Sequence, residues 1–379
     1  MQKRIRLISV GIVLIVLLIG IIVINNNSNS KYSFTQDGIK YALTLDGNKI
    51  TSFPSKGMYK AQVTCVGADG KWLYDEWKLA IENITSDDVT CDINFSTITK
   101  TSLNEYIISL AGTTQGTGQV VNENGYRYEG KNPNNYIWFN NEYWRIIGVF
   151  DSASHGVSGK NLVKIIRADV LDGLAWNKSN TNDWTASSLK SLLNGAYYNA
   201  QDGTNSGYCY GYSTTATANC DYTKRGIQAG YRGMIASVTW HLGGYLSTSA
   251  TTSAFYGYER GTTVYSGRPT STTGYIGLMY PSDYGYSVLS SSCARTTNLG
   301  SYNSANCAGQ SWLYGKGYEW TLTPYSSYSD SVFILRYNGY VHGSIANYGC
   351  GSRPVLYLDA SVYKIDGDGS LNNPYIVGM

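Results

Sequence analysis

The sequence predicts a β-rich protein of the α+β class, with an N-terminal transmembrane helix, a small β-sandwich and then a larger domain with long loops. Three observations predict this organisation. Residues 7–24 carry no charge, short runs of alternating apolar and polar residues fill residues 32–96, and a single strong helical pattern stands among strand-like segments after residue 136. At about 100–200 residues per domain, the 379-residue chain is long enough for two domains.

The N-terminal segment of residues 7–24 reads LISVGIVLIVLLIGIIVI. At a rise of roughly 1.5 Å per residue, such a helix nearly crosses a hydrocarbon core of about 30 Å. Lys3, Arg4 and Arg6 precede it, so residues 1–6 are expected to be a cytoplasmic stub and the rest of the chain to lie outside the cell. A cleaved signal peptide is the alternative, but residues 21–27 contain no small-x-small cleavage site. Both interpretations place the remaining chain outside the cytoplasm.

The composition of the chain is polar but not ionic. Charged residues make up only 15%, against about 25% in an average soluble domain, and the formal net charge is +3. No block of Lys and Arg occurs after the first six residues, so the basic surface that nucleic-acid binding requires is missing. Nucleic acid is therefore excluded as a partner, and the membrane is the first partner that the sequence predicts.

The seven cysteines predict disulfides rather than a metal site, because the chain is expected outside the cytoplasm and no C-x-x-C spacing occurs. Neighbours along the chain suggest local pairs, although spacing alone does not fix their connectivity. The expected pairs are Cys65 with Cys91, Cys209 with Cys220, and Cys293 with Cys307, which leaves Cys350 unpaired.

The first domain is predicted to follow a linker at residues 25–31 and to cover residues 32–111. Strand patterns at residues 40–45, 59–65, 76–81 and 90–95 are separated by turns, which predicts antiparallel pairing, and a short helix over residues 102–111 closes the domain. Residues 112–135 are rich in Gly, Asn and Thr and are expected to be a linker or the first loops of the next domain.

The second domain is predicted to cover residues 136–379. It opens with strand patterns on either side of Asn140 and Asn141, two residues that tolerate the positive φ angles of a tight hairpin turn. Residues 185–193 have a Thr/Ser start and leucines on one face, which predicts a helix. The remaining residues form short strands between long loops of Tyr, Gly, Ser and Asn.

Several motifs of the second domain resemble a family of uncharacterised exported surface proteins from Gram-positive bacteria, including gut commensals. They are YIWFNNEYWRIIGVF from residue 136, LVKIIRADVL from 162, NDWTASSLKSLLN from 182, IGLMYPSDYGY from 276, YEWTLTP from 318 and RPVLYLDASVYKIDGDGSLNNPYIV from 353. Ser352 stands where the family usually has Val, with Cys350 close by. The resemblance implies an exported protein held at the cell surface.

The order of elements in this domain also resembles the C-type lectin-like fold. A helix, a loop-rich middle, a Trp-bearing strand at Trp320 and a terminal strand at Arg353 follow one another. This fold occurs in sugar-binding lectins, in formylglycine-generating enzymes and in variable receptor-binding proteins. The resemblance implies a scaffold that carries a site on its loops, but a fold alone does not assign a function.

Tyrosine is frequent, with 35 residues, and many lie in loops that also contain Ser, Gly and Asn. Antibody loops use this composition to bind proteins and sugars, because Tyr offers a large rigid face at low entropic cost. The best stretch, residues 325–340, lies between the strands of Trp320 and Arg353. The alternative is that these tyrosines only cover the β core. The side chains expected to contact a ligand are Tyr325, Tyr328, Tyr337, Asn338, Tyr340, Tyr284 and Tyr286.

The sequence offers no convincing catalytic residues, metal ligands or cofactor motif. Its three histidines have no spacing that implies a triad. An enzyme similar to formylglycine-generating enzymes would need Cys293 and Cys307 as free thiols, and a structural stalk or coat protein would need loops that contact one another or identical neighbours. The sequence therefore predicts a membrane-anchored cell-surface protein that binds a glycan or another surface protein, with these two functions as alternatives.

Overall fold

The computed structural model describes residues 31–74, 76–212, 219–302, 307–315 and 317–379. The chain divides into two compact units at residue 100, and strands predominate in both, which confirms a β-rich α+β protein. No helix among the described residues is both long enough and apolar enough to span a membrane. The predicted transmembrane segment, residues 7–24, lies outside the described residues.

The first unit consists of strands joined by short turns. Positive φ angles at Asp46 and Gly47 form the turn between two of them, as the Asp-Gly sequence predicts. Its strands are β1 (Phe34–Gln36), β2 (Ile39–Leu45), β3 (Asn48–Ile50), β4 (Tyr59–Val66), β5 (Asp69–Leu73), β6 (Lys78–Glu82) and β7 (Thr90–Thr97).

A five-stranded sheet with the order β1-β2-β7-β4, and with β3 beside β2, forms one layer of this unit. The prediction of purely antiparallel strands is wrong at one place, because β2 and β7 run parallel, with Lys40 opposite Thr90. The chain between them is long enough to return to the same end of the sheet, as a parallel pair requires. The hairpin β5–β6 covers the sheet, and Trp72 meets Phe95 with ring centroids 5.0 Å apart.

The disulfide between Cys65 and Cys91 joins β4 to β7, where the two residues lie directly opposite each other. We expect replacement of both cysteines by alanine to lower the free energy of unfolding of this unit by roughly 2–3 kcal/mol, because the closed loop restricts the unfolded chain. Hydrogen exchange of strands β4 and β7 in the full-length chain measures the effect. Cys350→Ala, which changes a free cysteine of the other unit, is the control. Unchanged protection in the double variant would contradict the prediction.

The second unit contains six α-helices and eighteen strands in its described residues. Most strands have three to six residues, and the longest has nine. The helices are α1 (Leu103–Ser109), α2 (Ser152–His155), α3 (Ser188–Leu192), α4 (Ala229–Arg232), α5 (Thr252–Glu259) and α6 (Pro281–Ser287). The strands are β8 (Thr101–Ser102), β9 (Thr114–Gln115), β10 (Gly118–Asn122), β11 (Tyr126–Gly130), β12 (Tyr136–Phe139), β13 (Glu142–Phe150), β14 (Leu162–Arg167), β15 (Leu171–Ala175), β16 (Val238–His241), β17 (Ser271–Gly274), β18 (Ile276–Gly277), β19 (Glu319–Pro324), β20 (Ser331–Leu335), β21 (Val341–Ile345), β22 (Gly349–Ser352), β23 (Val355–Leu358), β24 (Tyr363–Asp366) and β25 (Tyr375–Gly378).

Two large sheets organise this unit. The first has eleven strands with the central order β18-β23-β14-β13-β12-β25-β24-β8, and β11, β10 and β9 continue from β13. The second has the order β15-β22-β19-β20-β21. One continuous apolar core includes Trp144, Trp176, Trp240 and Trp320, all fully buried. The tryptophans beside apolar neighbours thus fill the core, as aromatic side chains commonly do.

The start of the second unit differs from the sequence prediction in two ways. The helix predicted to close the first domain is α1, but its buried side chains, Leu103 and Ile107, belong to the core of the second unit. Residues 112–135, predicted as a linker or loops, contain β9, β10 and β11. Their Gly and Asn residues form the turns, while Val120 and Tyr128 are buried, so the turn composition masked the strand pattern.

Other elements follow the prediction. Asn140 and Asn141 both have positive φ and join β12 to β13 in a two-residue turn. The helix predicted over residues 185–193 is divided into a 3-10 turn at Trp184–Ala186, α3, and a π-helical turn at Leu193–Tyr197. The three predicted disulfides are present in the structure, and Cys350 is a free cysteine.

Candidate ligand-binding cleft

A cleft of about 210 Å³, counting its open mouth, lies in the second unit beside the loop between β19 and β20. We call it the Trp184 cleft. The space enclosed within it has room for about one water-sized group, so it can take only a single polar group of a ligand. The residues that line it are Trp176, Asn182, Asp183, Trp184, Leu242, Arg268, Pro269, Leu322 and Pro324.

Local sequence places Trp184 in this cleft. The Asp183 carboxylate accepts a hydrogen bond from the Thr185 backbone N–H at 2.9 Å and so starts the 3-10 turn. The Ser187 hydroxyl caps α3 by accepting from the backbone N–H of Lys190. Such side-chain acceptors satisfy the free N–H groups at the start of a helical turn. Two successive caps therefore fix the backbone on both sides of Trp184.

The indole N–H of Trp184 has no hydrogen-bond partner in the described part of the chain, although the side chain is only 2% exposed. The neighbouring Trp176 differs, because its indole N–H donates to the Thr321 carbonyl at 3.1 Å. The two rings lie 5.0 Å apart. A buried donor without an acceptor costs about 1–3 kcal/mol, so this N–H is an unsatisfied polar group of a residue that lines the cleft.

Polar groups at the mouth of the cleft are held by neighbouring loops. Arg268 donates from Nε to the side-chain oxygen of Asn182 at 3.2 Å, and Asn182 in turn donates to the Tyr328 carbonyl at 2.7 Å. Arg268 Nη1 and Asp183 Oδ2 lie 4.0 Å apart. Neither atom makes a hydrogen bond within the described ranges, so a donor and an acceptor face the same space.

Tyrosines on neighbouring loops lie close to residues of this cleft. Tyr325 stacks on Phe333 with ring centroids 4.8 Å apart and meets the ring of Tyr328 at 5.1 Å. Tyr328 is 53% exposed, and Tyr265 and Leu246 are also exposed. The loops are fixed to each other, since the Ser326 N–H donates to the Tyr245 carbonyl at 2.9 Å. We call Tyr265, Tyr325, Tyr328 and Leu246 the tyrosine rim.

The structure separates the predicted binding stretch into two surfaces. Tyr325 and Tyr328 precede β20 and belong to the tyrosine rim. Tyr337, Asn338 and Tyr340 follow β20, at the other end of this strand. Tyr337 is 53% exposed and meets the ring of Tyr318 at 5.4 Å. Five strand residues at about 3.3 Å each separate the two turns, so they do not form one site.

Tyr284 and Tyr286 do not lie in an exposed loop, in contrast to the prediction. Both are in helix α6 and are buried. The Tyr284 hydroxyl donates to the Gly339 carbonyl at 3.0 Å, and the Tyr286 hydroxyl accepts from the Asn124 side chain at 2.7 Å. The Pro at the start of α6 and the capping Asp283 convert this Tyr- and Gly-rich segment into a helix that joins the core.

The cysteines offer no reactive thiol in this unit. Cys293 and Cys307 are joined in a disulfide, so they are not the free thiol pair of the enzyme alternative. Cys350 is buried, and burial raises the pKa of its thiol to about 12. Among the described residues, no group of three or more His, Cys, Asp or Glu side chains is arranged to hold a metal ion.

The sequence patterns did not identify Asn182, Asp183, Trp184 or Arg268 as site residues. Trp184 is buried, but its N–H differs from those of Trp176 and Trp320, which donate to backbone carbonyls. The only sequence signal close to this cleft was the segment NDW at residues 182–184, which belongs to the motif NDWTASSLKSLLN. Arg268 is distant in sequence, and its contact with Asn182 depends on the folded loops.

Comparison of the chain with protein-family models, with curated proteins and with solved structures finds no match.

Proposed function

We propose that this chain is a membrane-anchored extracellular binding protein that recognises a glycan at the Trp184 cleft and its tyrosine rim. The observation that carries this proposal is the unpartnered indole N–H of Trp184, a residue that lines a cleft together with Asp183 and Arg268. The membrane anchor would be residues 7–24. The scaffold would be a C-type lectin-like domain, a proposal supported by the order of helix, loops and terminal strands along the chain.

A glycan fits these groups better than an apolar ligand. A sugar hydroxyl can donate to Asp183 Oδ2 and accept from Arg268 Nη1, and a second oxygen can accept from the Trp184 N–H. The apolar face of a sugar ring can lie against the exposed ring of Tyr328. Because the cleft is small, the remainder of the glycan would lie on the tyrosine rim, which offers rigid aromatic faces at low entropic cost.

A glycan array probed with the full-length chain tests this function. We expect binding to at least one class of glycan and a roughly tenfold loss of affinity in Trp184→Phe, because one hydrogen bond contributes about 1.4 kcal/mol. Asp183→Asn keeps the acceptor that caps the turn but removes the carboxylate charge, and we expect it to weaken the same glycans. The thermal midpoint of each variant shows whether folding is preserved.

Tyr328→Ala and Tyr337→Ala form a matched pair, since both side chains are 53% exposed and lie at opposite ends of β20. We expect Tyr328→Ala to weaken glycan binding severalfold and Tyr337→Ala to leave it unchanged. The reverse result would move the site to the second turn. A folded chain that binds no glycan and instead self-associates would support the structural alternative.

A further inference from the structure

Lys164 and Asp283 form a deeply buried contact at the centre of the second unit. Lys164 lies on β14 in the middle of the large sheet, and Asp283 lies in the first turn of α6. Their side chains are 1% and 2% exposed, and Lys164 Nζ is 2.5 Å from Asp283 Oδ2. The two residues are 119 positions apart in the sequence. Water is therefore excluded from an amine and a carboxyl group that already touch.

The hydrogen bonds of Lys164 do not match those of an ordinary lysine. An ammonium group has three N–H donors, but within the described residues Asp283 is the only oxygen acceptor that Lys164 meets. Aromatic rings surround the rest of the side chain, the nearest being Tyr280 with its centroid 4.4 Å from Nζ. These ring faces can attract an ammonium group, but they give it no oxygen acceptor for its remaining N–H donors.

The surroundings also favour the chemistry of condensation. Burial lowers the pKa of Lys164 to about 8, so a fraction of the side chain is the neutral amine, which is the nucleophilic form. Asp283 Oδ1 accepts a hydrogen bond from Arg127 Nη1 at 3.1 Å. A negative charge that develops on this oxygen during attack would be stabilised by the buried guanidinium.

Other contacts hold the two groups in position for reaction. Asp283 Oδ2 accepts a hydrogen bond from the Tyr280 backbone N–H at 2.9 Å, which orients the carboxyl group toward β14. Arg127 is itself 1% exposed and stacks against Phe150 and Tyr286, each 4.5 Å from the guanidinium carbon. Fixed neighbours of this kind replace the encounter of two reactants and greatly accelerate an intramolecular reaction.

We propose that Lys164 and Asp283 join in an intramolecular amide bond after the chain folds. One proton first passes from the Lys164 ammonium to Asp283 Oδ2, which leaves a neutral amine against a neutral carboxyl group. Nζ then attacks the side-chain carbonyl carbon, a C–N bond forms, and the bond from this carbon to Oδ2 breaks. The two protons that Nζ loses on passing from ammonium to amide combine with Oδ2, so one water molecule leaves. The step involves no oxidation and needs no co-reactant.

This bond would connect parts of the chain that no disulfide connects. The three disulfides join cysteines that are 26, 11 and 14 residues apart, so each closes a local loop. A Lys164–Asp283 amide would close a loop of 119 residues and tie the central sheet to α6. In an unfolded chain this loop would persist under reducing conditions.

Mass spectrometry of the full-length chain tests the proposal directly. After reduction and alkylation, we expect tryptic residues 161–167, with cleavage blocked at Lys164, to remain linked to residues 261–295 at a combined mass lower by one water. Lys164→Arg can keep the ion pair but cannot condense, so it should release separate peptides and migrate more slowly on a reducing denaturing gel. In Asp283→Asn, the same linkage should form with loss of ammonia in place of water.

Wild-type protein decides the question even if a variant fails to fold. Separate wild-type peptides, with free cleavage after Lys164 and no mass deficit, would overturn the proposal and leave an ion pair only. A linked peptide pair that persists in Lys164→Arg would also overturn it, because the link would then involve another residue.

Discussion

Replacing Arg353 with methionine is expected to lower the free energy of unfolding of the second unit by about 3–5 kcal/mol. Arg353 Nε donates to the Glu319 carboxylate at 2.6 Å, and an η nitrogen donates to the Leu313 carbonyl at 2.7 Å. Both charged side chains are buried. Removing the cation leaves the buried Glu319 side chain without its partner, which is why the loss exceeds that of a surface pair.

Urea unfolding of the full-length chain measures this loss, and two further variants interpret it. Arg225→Met removes an ion pair with Asp172 in which both side chains are 33% exposed, and it should cost less than about 1 kcal/mol. The double variant Arg353→Met with Glu319→Met should recover part of the stability, because no unpaired charge remains buried. An Arg353→Met protein as stable as Arg225→Met would contradict the prediction.

The stability of the second unit is expected to fall as the pH rises from about 4.5 to 7 through the titration of Glu259. This side chain is fully buried, and burial raises the pKa of its carboxyl from 4.5 to about 7, although Arg260 and hydrogen bonds from Ser282 oppose the shift. Below pH 4.5 the carboxyl is protonated in both states. Between pH 4.5 and about 7, the Glu259 carboxyl ionises in the unfolded chain but stays largely protonated in the folded chain. The free energy of unfolding therefore falls over this range.

The expected loss of stability follows from the size of the Glu259 pKa shift. At about 1.4 kcal/mol per pKa unit, ionisation of Glu259 should cost the folded state roughly 3 kcal/mol between these pH values. Glu259→Gln cannot ionise and should lack this component. His155 and His241 change stability in the opposite direction over the same range, because burial lowers the pKa of each. The informative quantity is therefore the difference between wild type and variant at each pH.

Urea unfolding at several pH values between 4 and 8 provides this difference. Glu105→Gln, at an exposed position of α1, corrects for the loss of one negative charge. We expect the stability of Glu259→Gln relative to wild type to rise steadily from pH 4.5 to 7 and then to stay constant. A difference that does not change with pH would show that Glu259 ionises without cost in the folded chain.

Local signals in the sequence predicted much of the fold correctly. Asn140 and Asn141 identified a hairpin turn because few other residues tolerate two successive positive φ angles. The expected disulfides join neighbours along the chain, and the local pairs that this order suggested are the ones present, although the order did not exclude other pairings.

Features that depend on long-range packing could not be predicted in this way. Tyr284 and Tyr286 have the sequence surroundings of loop residues, but Pro281 and Asp283 start a helix there and the core buries it. The contact between Arg268 and Asn182 and that between Lys164 and Asp283 join residues that are far apart in sequence. Neither pair has a spacing or a pattern that marks it, because only the folded sheets bring their partners together.

Strand β20 has a consequence for how this protein can diversify. Its five residues are all buried, while exposed tyrosines stand in the turns before and after it. A buried strand tolerates few substitutions, whereas exposed turns tolerate many. Each turn can therefore acquire new side chains without altering the other. Selection for a new partner at one end of the strand would leave recognition at the opposite end intact.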